Sequence, residues 1–319
     1  MNDPSTQVID IDEQRTWLND HRASSGMSWS ELAKRTGIPS GTLSQFGVGN
    51  YGGNNQNISE KIFRYRQTLA SQATIAIEAP ELPGFFETES TRHLTHLLSW
   101  AQRGRIIVAA MGPGCSKSQT AKQYAACYSN VFMATISAST ADMTGVQQEV
   151  LAAMGMPDAK GTARKLSYQI KDRVRDLTKP LIILDEAQHM TSKAIEEARS
   201  WHDATGVGVA LFGNIGVLNR IDGTGRDSAF AQLASRVAMR LVRQQPLTAD
   251  ADALAMAWQV YGDPEVMQIR KVAMLPGGLR NATMMLELGT MIASAEGKVL
   301  ALDHLQDAWS QLSSKAIAA

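Results

Sequence analysis

The stretch from residue 105 to residue 128 constrains the fold more than any other part of this chain. Residues 105–111 (Arg-Ile-Ile-Val-Ala-Ala-Met) are an apolar run of strand length, and residues 117–128 read as a helix. Between them stand Gly112, Pro113, Gly114, Cys115 and Ser116. A buried strand that enters a helix through such a turn leaves backbone N–H groups and the positive end of the helix converging on one point. That point is a cradle for phosphate. Lys117 and Ser118 follow at once, a lysine to reach the outer phosphates and a hydroxyl to ligate Mg²⁺. The candidate nucleotide-binding set from this segment is Gly112, Pro113, Gly114, Cys115, Ser116, Lys117, Ser118 and Gln119. The pattern G-x-x-x-x-G-K-[ST] is met imperfectly, because Met111 and Ser116 stand where its glycines belong. A side chain at 116 crowds the phosphates or strains the backbone. Taken alone, the segment also fits an ordinary glycine-containing turn.

A second motif changes the balance. Leu181-Ile182-Ile183-Leu184-Asp185-Glu186 is an apolar strand tipped by two carboxylates. Asp185 suits Mg²⁺, and Glu186 suits a general base or an orienting group for the attacking water. One further strand separates it in sequence from Lys117, and a glutamate beside the aspartate marks the additional-strand division of P-loop ATPases. The expected strands are 105–111, 131–137, 181–186, 207–212 and 238–242, with helices at 117–128, 143–154, 164–177 and 192–204 between them. This alternation predicts an α/β fold, a parallel sheet covered by helices on both faces. From residue 248 onward the pattern is all helical.

Further candidates fall in order along the chain. Asn214 follows the strand 207–212, where a polar group helps hold the attacking water. Arg236, in Leu233-Ala234-Ser235-Arg236, suits an arginine finger offered to a neighbouring subunit. Arg280 opens a helix after Gly277-Gly278 and suits contact with the γ-phosphate. The candidate catalytic residues are thus Lys117, Glu186, Asn214 and Arg236. Asp185 and Arg280 complete the nucleotide set, and Ser118 and Asp185 form the Mg²⁺ pair.

The front of the chain reads differently. Short helices are expected near 12–22, at 29–36 with Ser28 and Glu31 as a capping box, at 41–46 and at 58–70. The pair 29–36 and 40–46 around Gly37-Ile38-Pro39 has a helix-turn-helix look. Lys34, Arg35, Ser40, Thr42, Ser44 and Gln45 are its candidate DNA contacts, and a protein-docking module fits the same pattern. The prolines and glycine of 79–84 form the best linker. The expected organisation is a helix-turn-helix domain (1–75), a linker (76–90), a P-loop core (91–245) and a C-terminal helical lid (246–319).

Lysines and arginines number 31, as do aspartates and glutamates, so the formal net charge is zero. DNA contact must therefore come from a local patch. Between 160 and 179, seven basic residues face two acidic ones. Arg164, Lys171 and Arg175 fall on one helical stripe, Leu166, Ile170, Val174 and Leu177 on another. Lys160, Arg164, Lys165, Lys171 and Arg175 are the candidate DNA-binding residues, suited to phosphates and blind to sequence; a solvated helix face is the plain alternative. Two cysteines suggest neither a disulfide framework nor a zinc site. An acidic, polar start and the lack of a long apolar run point to a cytoplasmic chain with no membrane span.

Together these residues resemble the MuB family, the AAA+ transposition ATPases of Mu-like phages, and more distantly the IstB and TnsC transposon regulators. The likeness takes in the helix-turn-helix front, Glu81-Leu82-Pro83 through Phe86-Glu87-Thr88, the P-loop, residues 181–189, Leu211-Phe212-Gly213-Asn214, Ser235-Arg236 and residues 276–280. It implies an ATPase that uses ATP and Mg²⁺, binds double-stranded DNA with little sequence preference, and assembles into helical homo-oligomers or filaments. It also implies delivery of target DNA to a transposase, in the cytoplasm of a bacterial host. The departures at Met111 and Ser116 bear on turnover more than on binding. Two other classes stay open: a helicase loader or replication initiator with the same core, and a DNA-binding adaptor that does not hydrolyse ATP.

Overall fold

The computed structural model describes residues 9–78, 83–222 and 232–313. The chain divides into two compact units, Met1–Pro80 and Glu81–Ala319. The expected linker residues 79–82 lie outside the described residues.

The first unit is helical: α1 (Ile11–Ser25), α2 (Trp29–Thr36), α3 (Ser40–Gly47) and α4 (Asn55–Glu78). Asp10 caps α1 by accepting from the N–H groups of Asp12 and Glu13. Ser28 and Glu31 form the full capping box of α2, which ends on Gly37 in the left-handed region. Leu18, Leu32, Ile38, Leu43, Phe46, Ile58 and Ile62 close the core between these helices. Helix α4 runs to Glu78, past the residue 70 expected from its apolar period.

The second unit opens with α5 (Glu89–Ala101) and continues as β1 (Ile106–Met111), α6 (Lys117–Cys127), β2 (Val131–Thr135), α7 (Met143–Ala153), α8 (Ala163–Arg175), β3 (Leu181–Asp185), α9 (Ser192–Thr205), β4 (Gly208–Gly213), α10 (Ile215–Asp222) and β5 (Val237–Arg243). All pairings are parallel, in the order β2-β3-β4-β1-β5. The strand between β1 and β3 in space is β4, whereas the one between them in sequence is β2. Strands β1, β3 and β4 are buried at every position, which is why they read as unbroken apolar runs and not as alternation.

Their pleat sends alternate residues to two cores. Ile106, Val108 and Ala110 pack with α7, α8, α9 and α10 on one face. Ile107, Ala109 and Met111 pack with α5 and α6 on the other. Four further helices, α11 (Thr248–Ala257), α12 (Asp263–Ala273), α13 (Leu279–Ala295) and α14 (Leu302–Ser313), enclose a third core around Leu254, Ile269, Met285, Leu286 and Leu305.

The carboxylate of Asp250, wholly buried, ties α11 to the sheet side of the unit. It accepts from the N–H of Ser90 at 2.8 Å, from the Ser90 hydroxyl, and from the N–H of Leu247 at 2.8 Å. Arg243 at the end of β5 donates to Ser90 Oγ at 2.6 Å. Every buried charge needs such partners. Here they fix the first turns of α5 and α11 beside the C-terminal ends of β1 and β5. Among the described residues, no helix is long and apolar enough to cross a membrane.

Candidate functional site

At the C-terminal edge of the sheet the chain leaves β1 through two glycines that nothing larger can replace. The Gly112 N–H donates to the Arg243 carbonyl at 2.8 Å, and a Cβ there would stand 2.1 Å from the carbonyl oxygen of Gln244. Gly114 has φ +72, and a Cβ would stand 2.0 Å from the carbonyl oxygen of Gly277. The loop so formed meets the entry of α13 backbone to backbone, with the Leu279 N–H donating to the Gly114 carbonyl at 3.1 Å. Met111 is the last residue of β1, and its side chain is buried in the core shared with α5 and α6. The departure from the loop pattern at 111 is thus taken up by Gly112, which makes the close approach. Ser116 is another matter. It lies in the left-handed region at φ 61, ψ 15, and its side chain makes no capping bond.

Lys117 begins α6. Its Nζ donates to the carbonyls of Met111 at 2.8 Å and Gly112 at 3.0 Å, folded back over its own loop. Burial holds its pKa below the usual lysine range, and the Glu186 carboxylate works against that shift. Asp185, at the tip of β3, is 2 % exposed. Burial pushes its carboxyl above the ordinary range, and the neighbouring Ser118 hydroxyl and the Glu186 N–H, which donates to it at 3.0 Å, pull the other way. Ser118 and Asp185, the expected Mg²⁺ pair, are therefore in contact.

Among the described residues no group of three or more His, Cys, Asp and Glu gathers as a metal cage. A hydroxyl paired with one carboxylate fits Mg²⁺, which takes most of its ligands from phosphate and water. Glu186 follows at φ 56, ψ 35, so the chain turns sharply off the strand and places Glu186, but not Asp185, on the wall of the cleft.

That cleft holds about 760 Å³. Met111, Pro113, Gly114, Cys115, Ser116, Lys117, Ser118, Gln119, Glu186, Asn214 and Arg280 all line it. Residues 113–119, 186, 214 and 280 are thus assembled from the ends of β1, β3 and β4 and the first turn of α13, while Gly112 and Asp185, their neighbours in the chain, do not line the cleft. The Cys115 thiol is buried and pushed up in pKa by that burial. The Asn214 side chain accepts from the Gly216 N–H at 2.8 Å and so starts α10.

The rest of the wall went unread in the sequence. Phe85 and Phe86 before α5, Leu254 and Trp258 at α11, and Thr283 and Met284 on α13 give the cleft an apolar end beside its polar one. These residues come from three separate segments, and no local pattern links them.

Arg236 is not in the cleft. Val237 pairs with Ile106, so Arg236 sits at the opposite, N-terminal edge of the sheet from Lys117. Its Nε donates to Asp203 at 3.3 Å. On α8, Leu166, Ile170 and Val174 bury as expected, but the stripe of cations is interrupted. Lys171 is half-buried and donates to Ser200 Oγ at 2.9 Å, and Arg175 is paired with Asp172 at 2.7 Å. Lys160, Arg164 and Lys165 are exposed. Arg164 lies over the ring of Tyr168, itself 50 % exposed.

A parallel sheet with β4 inserted between β1 and β3, carrying a phosphate loop and an acidic strand tip in one cleft, defines a P-loop ATPase of the AAA type. Residues 91–221 match the family model of the AAA domain, and residues 235–312 match the model for the C-terminal part of the Mu B transposition protein. The ATP-dependent target DNA activator B of Escherichia phage Mu is 32% identical over 286 residues, spanning 89% of this chain and 90% of that one. Its counterpart in phage D108 matches equally. The Mu-like prophage FluMu DNA transposition protein B of Haemophilus influenzae is 31% identical, over 83% of this chain and 92% of its own. The chain belongs to the Mu B transposition protein family.

Among solved structures, the Aeropyrum pernix Orc1 protein in complex with DNA superposes with a TM-score of 0.54 at 15% identity, over 74% of this chain and 68% of that one. Drosophila ORC bound to DNA gives 0.51 at 13%, over 75% and 65%. At such identities the likeness is one of fold.

Proposed function

We propose that this chain binds ATP with Mg²⁺ in the cleft, hydrolyses it, and uses its nucleotide state to assemble on DNA and present that DNA to a transposase. The observation that carries the reading is the meeting of Ser118 with the buried tip of β3 beneath the loop of Lys117, in a chain of this family. The Lys117 ammonium is held by two neutral carbonyls that a phosphate oxygen outcompetes, since the phosphate adds a full opposite charge to the hydrogen bond. The backbone N–H groups at the head of α6 add a fixed positive field. Mg²⁺ held by Ser118 and Asp185 supplies further charge at the phosphates. Glu186 orients the attacking water and takes its proton, Asn214 helps to hold that water, and Arg280 senses the outer phosphate from the lid. Because α13 meets the phosphate loop backbone to backbone, a change at the phosphates is transmitted to the lid without an intermediary.

Arg236 stands at the far edge of the sheet, where it serves the cleft of a neighbouring copy better than its own. Self-association and ATP are then coupled. DNA phosphates are met by Lys160, Arg164 and Lys165 at the start of α8, with Lys171 and Arg175 secondary because each already has a partner. Exposed Lys34, Arg35, Ser40 and Gln45 on α2 and α3, beside half-buried Thr42 and Ser44, offer a second contact. The division into a helix-turn-helix domain, linker, ATPase core and lid, at 1–75, 76–90, 91–245 and 246–319, belongs to this reading. The test is phosphate release with and without DNA. Wild type turns over, Lys117→Ala fails to bind ATP, and Glu186→Gln binds without turnover. Wild-type turnover in either variant removes that residue from its role.

A further inference from the structure

We propose that Gln188 is a positioning residue, which sets the Glu186 carboxylate for the hydrolytic step and ties it to the end of β4. The inference rests on the role given to Glu186 above. Residues 187–189 form a single tight turn directly after Glu186. The side-chain amide of Gln188 is anchored at both ends. Its Nε2 donates to Glu186 Oε2, and its Oε1 accepts from the backbone N–H of Asn214 at 3.3 Å.

These partners fix the amide's orientation without ambiguity. A backbone N–H can only donate and a carboxylate can only accept, so the oxygen must face Asn214 and the NH₂ must face Glu186. The main chain of Gln188 is held too, its carbonyl accepting from Arg220 at 2.9 Å. Space is made for the side chain by Gly213, where a Cβ would lie 2.4 Å from Gln188 Oε1. The left-handed backbone at Glu186 is one that L-residues adopt only when their surroundings over-determine it, and the Gln188 bridge is one of those surroundings.

No other residue type does the same work. Glutamate sets a second carboxylate against the first, asparagine is one methylene too short to span both partners, and alanine spans neither. Gln188 therefore joins three elements, the turn after β3, the end of β4 and helix α10, at the Glu186 carboxylate. Any movement of β4 or α10 reaches Glu186 through this amide.

The experiment measures steady-state turnover and ATP affinity for the full chain carrying Gln188→Ala, Gln188→Glu, Glu186→Ala, and Glu186→Ala with Gln188→Ala, using single turnover for the slow variants. A hydrogen bond to a charged group, once lost, predicts that kcat of Gln188→Ala falls ~tenfold or more. ATP affinity should stay within ~twofold, because the phosphate loop is untouched. Gln188→Glu should be at least as slow. In the Glu186→Ala background the second substitution should cost nothing further, since a residue that acts through another is silent once the other is gone. A Gln188→Ala protein that hydrolyses at or above the wild-type rate overturns the proposal. So does loss of affinity in step with rate, or a further loss in the Glu186→Ala background, either of which reduces Gln188 to a structural part. A wild-type chain without turnover overturns the functional reading and this inference together, and is distinguished by failing before any variant is compared.

Discussion

Replacing Ser116 by glycine should stabilise the nucleotide-free protein. Ser116 is held at φ 61 immediately before α6, a conformation that costs an L-residue about 1–2 kcal/mol. Glycine adopts it freely, but gives back roughly 0.5–1 kcal/mol through its more flexible unfolded chain. Nothing else changes. The serine side chain makes no capping bond, and the bonds that Ser116 does make, to Thr120 N at 2.9 Å and Thr120 Oγ1 at 2.7 Å, go through its carbonyl oxygen. The net gain is then about 0.5–1 kcal/mol, which for a unit of this size raises the unfolding midpoint by roughly 1–4 °C. The assay is thermal denaturation followed by circular dichroism without nucleotide, with Ser116→Ala as the control that keeps the Cβ and hence the strain. The glycine variant should melt above wild type, and the alanine variant at or slightly below it. A glycine variant that melts with or below wild type refutes the claim that the loop stores strain at this residue. ATP affinity should be unchanged or tighter, because the removed atoms face the phosphate cradle.

Two further outcomes follow, one at the acidic strand tip and one on α8. Burial raises the Asp185 carboxyl, so the folded state holds its proton more tightly than the unfolded chain does, and stability falls as pH rises from the ordinary carboxylate range through the raised value. Asp185→Asn should therefore melt higher than wild type at neutral pH while losing Mg²⁺-dependent ATP binding, and the gap should close in acid; melting curves at several pH values check this. On DNA, reversing charge at Arg164 and Lys165 should weaken binding on every sequence alike and flatten its salt dependence, whereas Lys171→Ala, already engaged with Ser200, should do much less. Fluorescence anisotropy at two salt concentrations separates the two variants, and equal effects would return α8 to plain surface.

The phosphate loop and the acidic strand tip were legible because each concentrates its chemistry in a few adjacent residues whose neighbours fix the element. The burial of β1, β3 and β4 was legible for the same reason, as continuous apolar runs. What the sequence withheld is whatever depends on which elements meet. The placement of β4 between β1 and β3 is a matter of crossover, not of composition. Met111 read as a departure from the loop pattern, yet as the last strand residue it points into the core and leaves Gly112 to make the close contact. The apolar end of the cleft draws Phe85, Trp258 and Met284 from segments far apart. On α8, periodicity placed Leu166, Ile170 and Val174 in the core but could not give the partners of Lys171 and Arg175, because Ser200 comes from a different helix and Asp172 lies one turn back. Gln188 gave no signal at all, since its meaning arises only when the end of β4 lies beside the turn after β3.

The central claim is that ATP held between the Lys117 loop and the Asp185 tip controls assembly on DNA. The most direct measurement is the binding isotherm of the full chain on long double-stranded DNA, observed in parallel by electron microscopy, with ATP, with ADP and with no nucleotide, for wild type and Lys117→Ala. The account predicts tight, cooperative coating of DNA by wild type with ATP alone, and none by the variant in any condition. Equal coating in all three nucleotide conditions, or by both proteins, would contradict it.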